Sequence, residues 1–350
     1  MKSTRLRTIR HAVLGLATAA GLMLPQAASA EMVALTGVMA QGGPTAQIFP
    51  LFMAIEKGYY AEEGIEIEIK FSEGSSDAAR QLAAGNVDFG IFSPAAAMQT
   101  AQAGFPLKEI YQVYYKDTFD IVVPDASPVQ SMADMKGKTL GLSDLAGGEV
   151  PMVRASLAVT DLKEGEDVKF VVAGEGDPTT VRSFEEERIQ AYAGAKRDIL
   201  LIDAQGVKTR RITPPDMRAF PGDGLVVRAE TLAENPDLLV KLVRATIKGW
   251  AWGVAHPDET FELLKTKYAA ATLGENPVAV EFWTLVQDYY KAPESVTKQG
   301  TFIPAAWESY MGFLQLGAEE QRALKGPVDI AALLTDEITL KAWEGLEIAE

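Results

Sequence analysis

Short apolar segments, each followed by a loop of small residues and then a helix start, occur in two sets along the chain. The segments are interpreted as strands, three in each set: 33–38, 65–71 and 87–92, then 138–143, 168–172 and 189–194. The loops after them correspond in pairs: AQGGPT with LAGGEV, SEGSSD with AGEGDP, and FSPAAA with YAGAKR. Short apolar strands that alternate with helical periodicity are typical of parallel sheets covered by helices. The sequence therefore predicts an α/β protein with two lobes of similar construction.

Two extended segments lie between these sets and the C-terminal part of the chain. Residues 110–125 and 224–230 show no helical pattern and are interpreted as the crossings between the lobes. The predicted organisation is a discontinuous first lobe, 31–116 with 224–350, and a second lobe, 117–223. Beyond residue 230 the pattern is helical, and all five tryptophans lie there, where a helical stripe of aromatic residues is interpreted as core.

Residues 1–30 have the features of a secretory signal peptide. Four basic residues accompany an apolar run, 12–25, that is too short to span a bilayer comfortably, and the small residues 28–30 fit a signal-peptidase site. Cleavage is predicted after Ala30, and it lowers the formal net charge from −15 to −19 because no acidic residue leaves with the four basic ones. So acidic a chain is a poor partner for nucleic acid or anionic membranes. We expect a free periplasmic protein.

The chain contains no cysteine, and His256 is the one histidine outside the predicted signal peptide. Cysteine nucleophiles, disulfides and cysteine-based metal sites are therefore excluded. His256 precedes a proline, a pattern that indicates the junction of two helices rather than a catalytic triad. No dinucleotide fingerprint or P-loop occurs. These observations indicate a protein that is not an enzyme, with no cofactor and no metal ion.

The candidate ligand-binding residues lie where loops follow the predicted strands. Helix starts at the carboxyl ends of parallel strands offer free N–H groups to a ligand, and glycines allow its close approach. The serines of this set also serve simply as helix caps, as does Asp177, and one such loop alone favours that interpretation. The predicted ligand-binding residues are Gln47, Gly74, Ser75, Ser76, Ser93, Tyr115, Phe119, Gly147, Gly148, Glu149, Tyr192 and Lys196.

The chemical class of the ligand is left open by these residues. Helix starts without an evident arginine clamp suit a small anion or a neutral heteroaromatic molecule. The rings of Tyr115, Phe119 and Tyr192 favour a flat ligand if they face the cleft, and otherwise they pack into the lobes. Lys196 and Arg197 begin a helix, where a cation is disfavoured unless it meets an anion. Glu149 and Asp117, in contrast, oppose a fully charged anion if they face the cleft.

Four stretches resemble one protein family. They are PLFMAIEKGYYAEEGIEIEI, SSDAARQLAAGNVDFGIFSPA, MADMKGKTLGL and ENPDLLVKLVRATIKGWAWGVAHPDET. The chain resembles the periplasmic substrate-binding proteins of ABC importers for nitrate, sulfonates and taurine, a family that also includes binders of thiamine-pyrimidine precursors. The resemblance implies a type II periplasmic-binding-protein fold, with two α/β lobes, two crossover strands and a C-terminal helical extension on the first lobe.

The resemblance also implies a function. A protein of this family captures one small molecule between its lobes by hinge closure and delivers it to an inner-membrane permease, most simply as a monomer. Two departures weaken the pyrimidine alternative: the stretch after the first glycine loop has no histidine, and Gln190 stands where the family carries an acid. The alternatives are a periplasmic receptor that presents its ligand to a membrane sensor, and a lyase on the same fold.

Overall fold

The structure is a computed structural model that describes residues 32–215 and 220–346. The predicted signal peptide and its cleavage site lie outside the described residues. Within the described ranges, no helix combines the length and the apolar character that crossing a membrane requires.

The first sheet holds five strands in the order β2-β1-β3-β10-β4. Its strands are β1 (Val33–Met39), β2 (Ile65–Phe71), β3 (Phe89–Phe92), β4 (Leu107–Gln112) and β10 (Gly224–Arg228). β1 runs parallel to β2 and β3, with Val33 opposite Ile65, whereas β10 runs antiparallel to both β3 and β4. We call this sheet with its helices the first lobe.

The second sheet repeats this scheme, in the order β7-β6-β8-β5-β9. Its strands are β5 (Phe119–Pro124), β6 (Lys138–Leu142), β7 (Val168–Val172), β8 (Ala191–Ala195) and β9 (Thr209–Arg211). β6 runs parallel to β7 and β8, and β5 runs antiparallel to β8 and β9. In each sheet the antiparallel strand is the one that the chain forms directly after crossing over. We call this sheet with its helices the second lobe.

The predicted six strands are confirmed, but the predicted crossings are wrong in extent. Residues 224–228 form β10, a central strand of the first sheet, and residues 110–125 contain the end of β4 and all of β5. The apolar side chains of Leu225, Val226 and Val227 are buried, because both faces of this strand pack into hydrophobic core. The strand also pairs with β3 and β4 along its two edges. The chain crosses between β4 and β5 and again between β9 and β10.

The helices cover both sheets, and the C-terminal ones form an extension. Their bounds are α1 (Phe49–Glu56), α2 (Tyr59–Glu62), α3 (Ser75–Ala83), α4 (Pro94–Gln102), α5 (Val150–Ala158), α6 (Pro178–Glu185), α7 (Lys196–Ala204), α8 (Ala229–Glu234), α9 (Pro236–Ala255), α10 (Pro257–Lys267), α11 (Ala279–Tyr289), α12 (Pro304–Leu314), α13 (Ile330–Leu333) and α14 (Glu337–Trp343). The long α9 packs on α1 and α2, and α14 packs on α9 and β4. α12 also contacts both α4 of the first lobe and α5 of the second.

The contact between α9 and α1 depends on a helix-interior glycine, which yields a prediction about stability. A Cβ atom on Gly249 of α9 would lie 2.1 Å from the carbonyl oxygen of Pro50 in α1. We expect Gly249→Ala to lower the free energy of unfolding by about 1–3 kcal/mol, because the two helices must move apart. The measurement is urea unfolding followed by circular dichroism.

Gly312 provides a matched control. It lies in α12, and a Cβ atom there would meet no atom within 4 Å. Gly312→Ala should raise stability by about 0.5–1 kcal/mol, since alanine loses less backbone entropy in a helix. Equal effects of the two substitutions would contradict the close packing of α9 on α1.

Candidate ligand-binding site

A cavity of about 310 Å³ lies between the two lobes. Its walls come from the loops after β1, β2, β6, β7 and β8 and from both crossings, so it sits at the carboxyl ends of the parallel strands. The lining residues are Ala40, Gln41, Gly42, Gly43, Pro44, Thr45, Gln47, Glu73, Gly74, Ser75, Thr118, Phe119, Ser143, Asp144, Gly147, Gly148, Glu149, Glu175, Ala195, Arg197, Asp198, Asp223 and Ala270. This is the position at which ligands bind in open α/β sheets.

Seven of the twelve residues predicted from the sequence line this cavity. They are Gln47, Gly74, Ser75, Phe119, Gly147, Gly148 and Glu149. The other five do not line it: Ser76, Ser93, Tyr115, Tyr192 and Lys196. Contact with a ligand stays a prediction for the first group, and the structure gives each member of the second group a different role.

The serines at the starts of α3 and α4 bind the protein itself. Ser93 is the predicted cap of α4, and its Oγ accepts a hydrogen bond from Ala96 N at 3.4 Å. Ser75 and Ser76 are not caps, because the cap position of α3 is Gly74. Ser75 Oγ instead accepts a hydrogen bond from Ser93 N at 3.1 Å, which fastens the two helix starts together.

The two lobes touch each other at one rim of the cavity. Ser76 N, at the start of α3 in the first lobe, donates a hydrogen bond to Ala146 O of the second lobe at 3.3 Å. Gly74 lies against the same carbonyl group, since a Cβ atom there would be 2.8 Å from Ala146 O. A Cβ atom on Gly148 would likewise lie 2.8 Å from Ser75 Oγ. We call this contact the rim contact.

Tyr115 and Lys196 fix the first crossing instead of facing the cavity. The Tyr115 hydroxyl donates to Thr301 O at 3.0 Å and accepts from Gly300 N at 2.7 Å. Lys196 Nζ donates to Asp117 O at 2.5 Å. Both side chains therefore position the crossing from which Phe119, a half-buried ring, reaches the cavity.

Tyr192 lies behind the cavity wall. Its side chain is fully buried, and its hydroxyl is 2.9 Å from Gly174 O and 3.1 Å from the Asp198 carboxylate. Asp198, which the sequence prediction missed, lines the cavity and also accepts from Arg197 at 3.2 Å. Burial raises the pKa of Asp198 to about 6, and the nearby Arg197 guanidinium opposes that rise. The signal in the sequence was the place of Asp198 just after a predicted strand.

Glu149 is a buried carboxyl group with one satisfied oxygen. Its Oε1 accepts from Ser143 N at 3.2 Å and from Ser143 Oγ at 2.5 Å. Its Oε2 receives no hydrogen bond from any other described residue. Burial raises the pKa of Glu149 to about 7.

Asp223 reaches the cavity from the second crossing, where the sequence gave no signal of a site. Its backbone oxygen accepts from Val113 N at 3.0 Å and from Tyr114 N at 3.1 Å, which fixes its place. Its half-buried carboxylate has no hydrogen bond or ion pair with the described residues. Burial and the negative charge of Asp117 raise the pKa of Asp223 to about 7.

The ionisable side chains that line the cavity are six carboxyl groups and the Arg197 guanidinium. The one described histidine, His256, stacks on Trp252 between α9 and α10, with ring centroids 4.7 Å apart. It is exposed and absent from the cavity lining. Among residues 32–215 and 220–346, no cluster of three or more histidine or acidic residues is arranged to hold a metal ion. The described residues thus place neither a histidine nor a metal-binding cluster at the cavity.

One family model and two relatives of known name match the sequence of this chain. The family model described as NMT1/THI5 like matches residues 45–260, more than half of the chain. A riboflavin-binding protein, RibY of Chloroflexus aurantiacus, is 27% identical over 234 residues, 66% of this chain and 66% of that protein, so the match spans just under two thirds of that relative. A formylaminopyrimidine-binding protein of Halalkalibacterium halodurans is 24% identical over 276 residues, 76% of this chain and 79% of that protein.

One further relative and two solved structures are also similar to this chain. The 4-amino-5-hydroxymethyl-2-methylpyrimidine phosphate synthase of Legionella pneumophila is 23% identical over 223 residues, 61% of this chain and 68% of that protein. The periplasmic aliphatic sulphonate binding protein SsuA of Escherichia coli superposes with a TM-score of 0.63 at 15% identity, covering 85% of this chain and 96% of that one. For the periplasmic nitrate-binding protein NrtA of Synechocystis PCC 6803, the TM-score is 0.64 at 14% identity, with coverage of 91% and 90%. These likenesses confirm the expected periplasmic-binding-protein fold.

The rim contact predicts how a single methyl group changes closure. Gly74 has φ of 142°, a conformation that L side chains rarely adopt, and its Cβ position is occupied by Ala146 O. Gly74→Ala should therefore push Ala146 away and shift the distance between the lobes toward longer values. Spin labels on cysteines introduced at the exposed positions Glu66 and Lys169 report the distance between the lobes without interference, because the chain has no other cysteine.

Gly104→Ala is the control for this substitution. Gly104 also has a positive φ, of 92°, but a Cβ atom there would meet nothing within 4 Å. It should lower stability without changing the distance between the labels. An unchanged distance in Gly74→Ala would show that the rim contact does not govern closure.

The raised pKa of Asp223 predicts a dependence of stability on pH. The folded protein holds this proton up to about pH 7, whereas the unfolded chain releases it near pH 4. The stabilisation of the folded state that this bound proton provides is thus fully present below about pH 4 and is lost as the pH rises through about 7. We expect Asp223→Asn to raise the unfolding free energy at pH 8 by about 1–3 kcal/mol and to flatten its pH dependence. Asp125→Asn, at an exposed position, is the control. A wild-type pH profile in Asp223→Asn would refute the assignment.

Proposed function

We propose, since the chain belongs to the NMT1/THI5-like family, that it is the solute-binding protein of an ABC importer. The observation that carries this proposal is the cavity enclosed by loops of both lobes and by both crossings. Such a cavity opens and closes when the crossings bend, which is how two-lobed receptors bind and release a solute. Two solved structures with the same fold are named as periplasmic sulphonate-binding and nitrate-binding proteins, which supports this proposal.

The ligand that we propose is a small flat molecule with a nitrogen-containing ring. Two relatives that are 27% and 24% identical are named for binding riboflavin and formylaminopyrimidine. The sulfonate and nitrate binders share only 15% and 14% of their residues with this chain. The half-buried Phe119 gives the cavity one aromatic surface on which a ring can stack.

We propose binding rather than catalysis for this chain. Relatives named as pyrimidine phosphate synthases belong to the same group of sequences, so the family alone does not decide. The absence of cysteine from the sequence, and the place of His256 on an exposed helix junction, support a binding role. Two groups that commonly act as nucleophile and general base are thus missing from the cavity.

The proposed setting is the periplasm, with an inner-membrane permease as partner. The sequence features of residues 1–30 and the periplasmic names of the structural neighbours support this. The protein would work as a monomer, with residues 31–116 and 224–350 as the first lobe and 117–223 as the second. All described strands of the second sheet lie within that second range.

A thermal-shift screen tests the proposed function. Riboflavin, formylaminopyrimidine, aminopyrimidines, taurine, alkanesulfonates and nitrate would each be added to the purified protein. We expect one nitrogen heterocycle to raise the melting temperature, because a ligand at 100 times its Kd stabilises the folded state by about 2.7 kcal/mol. Phe119→Ala should reduce that shift, while Phe105→Ala, at an exposed ring outside the cavity lining, should leave it unchanged. A screen in which no solute raises the melting temperature would overturn the proposal.

A further inference from the structure

The cavity is lined by an excess of carboxylates. Six acidic residues line it, from both lobes and from the second crossing: Glu73, Asp144, Glu149, Glu175, Asp198 and Asp223. The one cationic residue among the lining residues is Arg197. Its guanidinium already lies 3.2 Å from Asp198 and 3.8 Å from Glu175. The wall thus offers a ligand several negative charges and one positive charge that is already paired.

Acceptors or acidic residues of the protein stand at the helix starts of both lobes, although α5 and α7 have no side-chain cap hydrogen bond. The Ser76 N–H group of α3 donates to Ala146 O, and the start of α4 is capped by the Ser93 hydroxyl. Glu149 occupies the cap position of α5, and Asp198 lies in the first turn of α7. An anionic ligand would need such helix starts free.

Two carboxylates stand out because the described residues leave them without full partners. Glu149 is fully buried, and its Oε2 receives no hydrogen bond from another described residue. Asp223 has no partner for its carboxylate, although hydrogen bonds to its backbone fix its position. A buried carboxylate without a partner is unfavourable, so each of these groups is suited to accept from a ligand.

We propose that Glu149 and Asp223 bind N–H groups of a positively charged or amidine-like ligand, and that the cavity rejects anions. This inference deepens the proposed function and rests on it, since it concerns the same cavity. The flat ligand would stack near Phe119 and direct its donors to the two carboxylates, one on the second lobe and one on the second crossing. Closure of the lobes would then bring both acceptors onto one ligand.

The protonation behaviour of the two groups agrees with this assignment. Burial raises the pKa of Glu149 and of Asp223 to about 7 in the absence of a nearby unpaired cation. A bound cation would favour the ionised form of both carboxyls. Ionised carboxylates accept hydrogen bonds and attract positive charge, whereas an anion would meet repulsion from every acidic lining residue.

Benzamidinium and benzoate form a probe pair that tests this. The two ions have nearly the same flat shape and opposite charge, and benzamide is their neutral counterpart. Kd values would be measured by titration of the purified protein, with NMR detection for weak binding. We expect benzamidinium to bind at least tenfold more tightly than benzoate. Asp223→Asn and Glu149→Gln should each lower that ratio by at least about threefold, whereas Glu166→Gln, on the surface of the second lobe, should leave it unchanged.

Three other results would overturn the inference. The first is that benzoate binds as tightly as benzamidinium, and the second is that the ratio of the two Kd values is unchanged in both variants. The third such result is that neither probe binds at concentrations up to about 10 mM. If Glu149→Gln fails to fold, Asp223→Asn decides alone. An anion that raises the melting temperature in the solute screen would overturn this inference and leave the proposed function standing. A screen without any active solute would remove the proposed function itself.

Discussion

The buried side chain of Gln112 is the interaction on which the arrangement of the two lobes depends. Its amide nitrogen donates to Tyr114 O of the first crossing at 2.8 Å and to Gly222 O of the second crossing at 2.9 Å. Its amide oxygen accepts from Trp307 Nε1 of α12 at 2.9 Å. Because α12 contacts helices of both lobes, one fully satisfied amide joins the two crossings to the element that spans the lobes. The place of Asp223, next to Gly222, follows from this network.

The hydrogen bonds around Gln112 explain why the groups that favour ligand binding in this cavity lower the stability of the protein without ligand. The crossings hold Asp223 in a half-buried position where its carboxylate has no partner among the described residues. In the wall of the second lobe, one oxygen of Glu149 likewise has no partner among them. Such groups cost free energy in the protein without ligand. The same groups give a ligand with N–H donors a large advantage over one without them, since the advantage is the removal of that cost. The selectivity for such a ligand then comes from the hydrogen-bond donors that these two carboxylates lack in the protein without ligand.

The strands of both sheets were predictable because each is a local apolar run ended by small residues, and all six predicted strands are present. β10 was interpreted as a crossing because its place depends on antiparallel pairing with β3 and β4, which are distant in sequence. The glycines and Glu149 of the cavity were predicted from loops that follow strands. Ser76 does not line the cavity, since its N–H group meets a carbonyl of the other lobe. Asp223 does line it, although no motif marks a residue in a crossing. A local pattern in the sequence does not predict contacts between the two lobes.

The fold is shared with sulfonate- and nitrate-binding proteins at 15% and 14% identity, so the frame alone does not decide the charge of a ligand. A helix start at the carboxyl end of a parallel strand is intrinsically suited to an anion. In this chain Glu149 stands at the cap position of α5 and Asp198 in the first turn of α7, and neither helix has a side-chain cap hydrogen bond. A carboxylate at a helix start offsets the positive field there, and both of these acids line the cavity. An acid in such a position therefore disfavours an anionic ligand at that helix start and favours a ligand with hydrogen-bond donors.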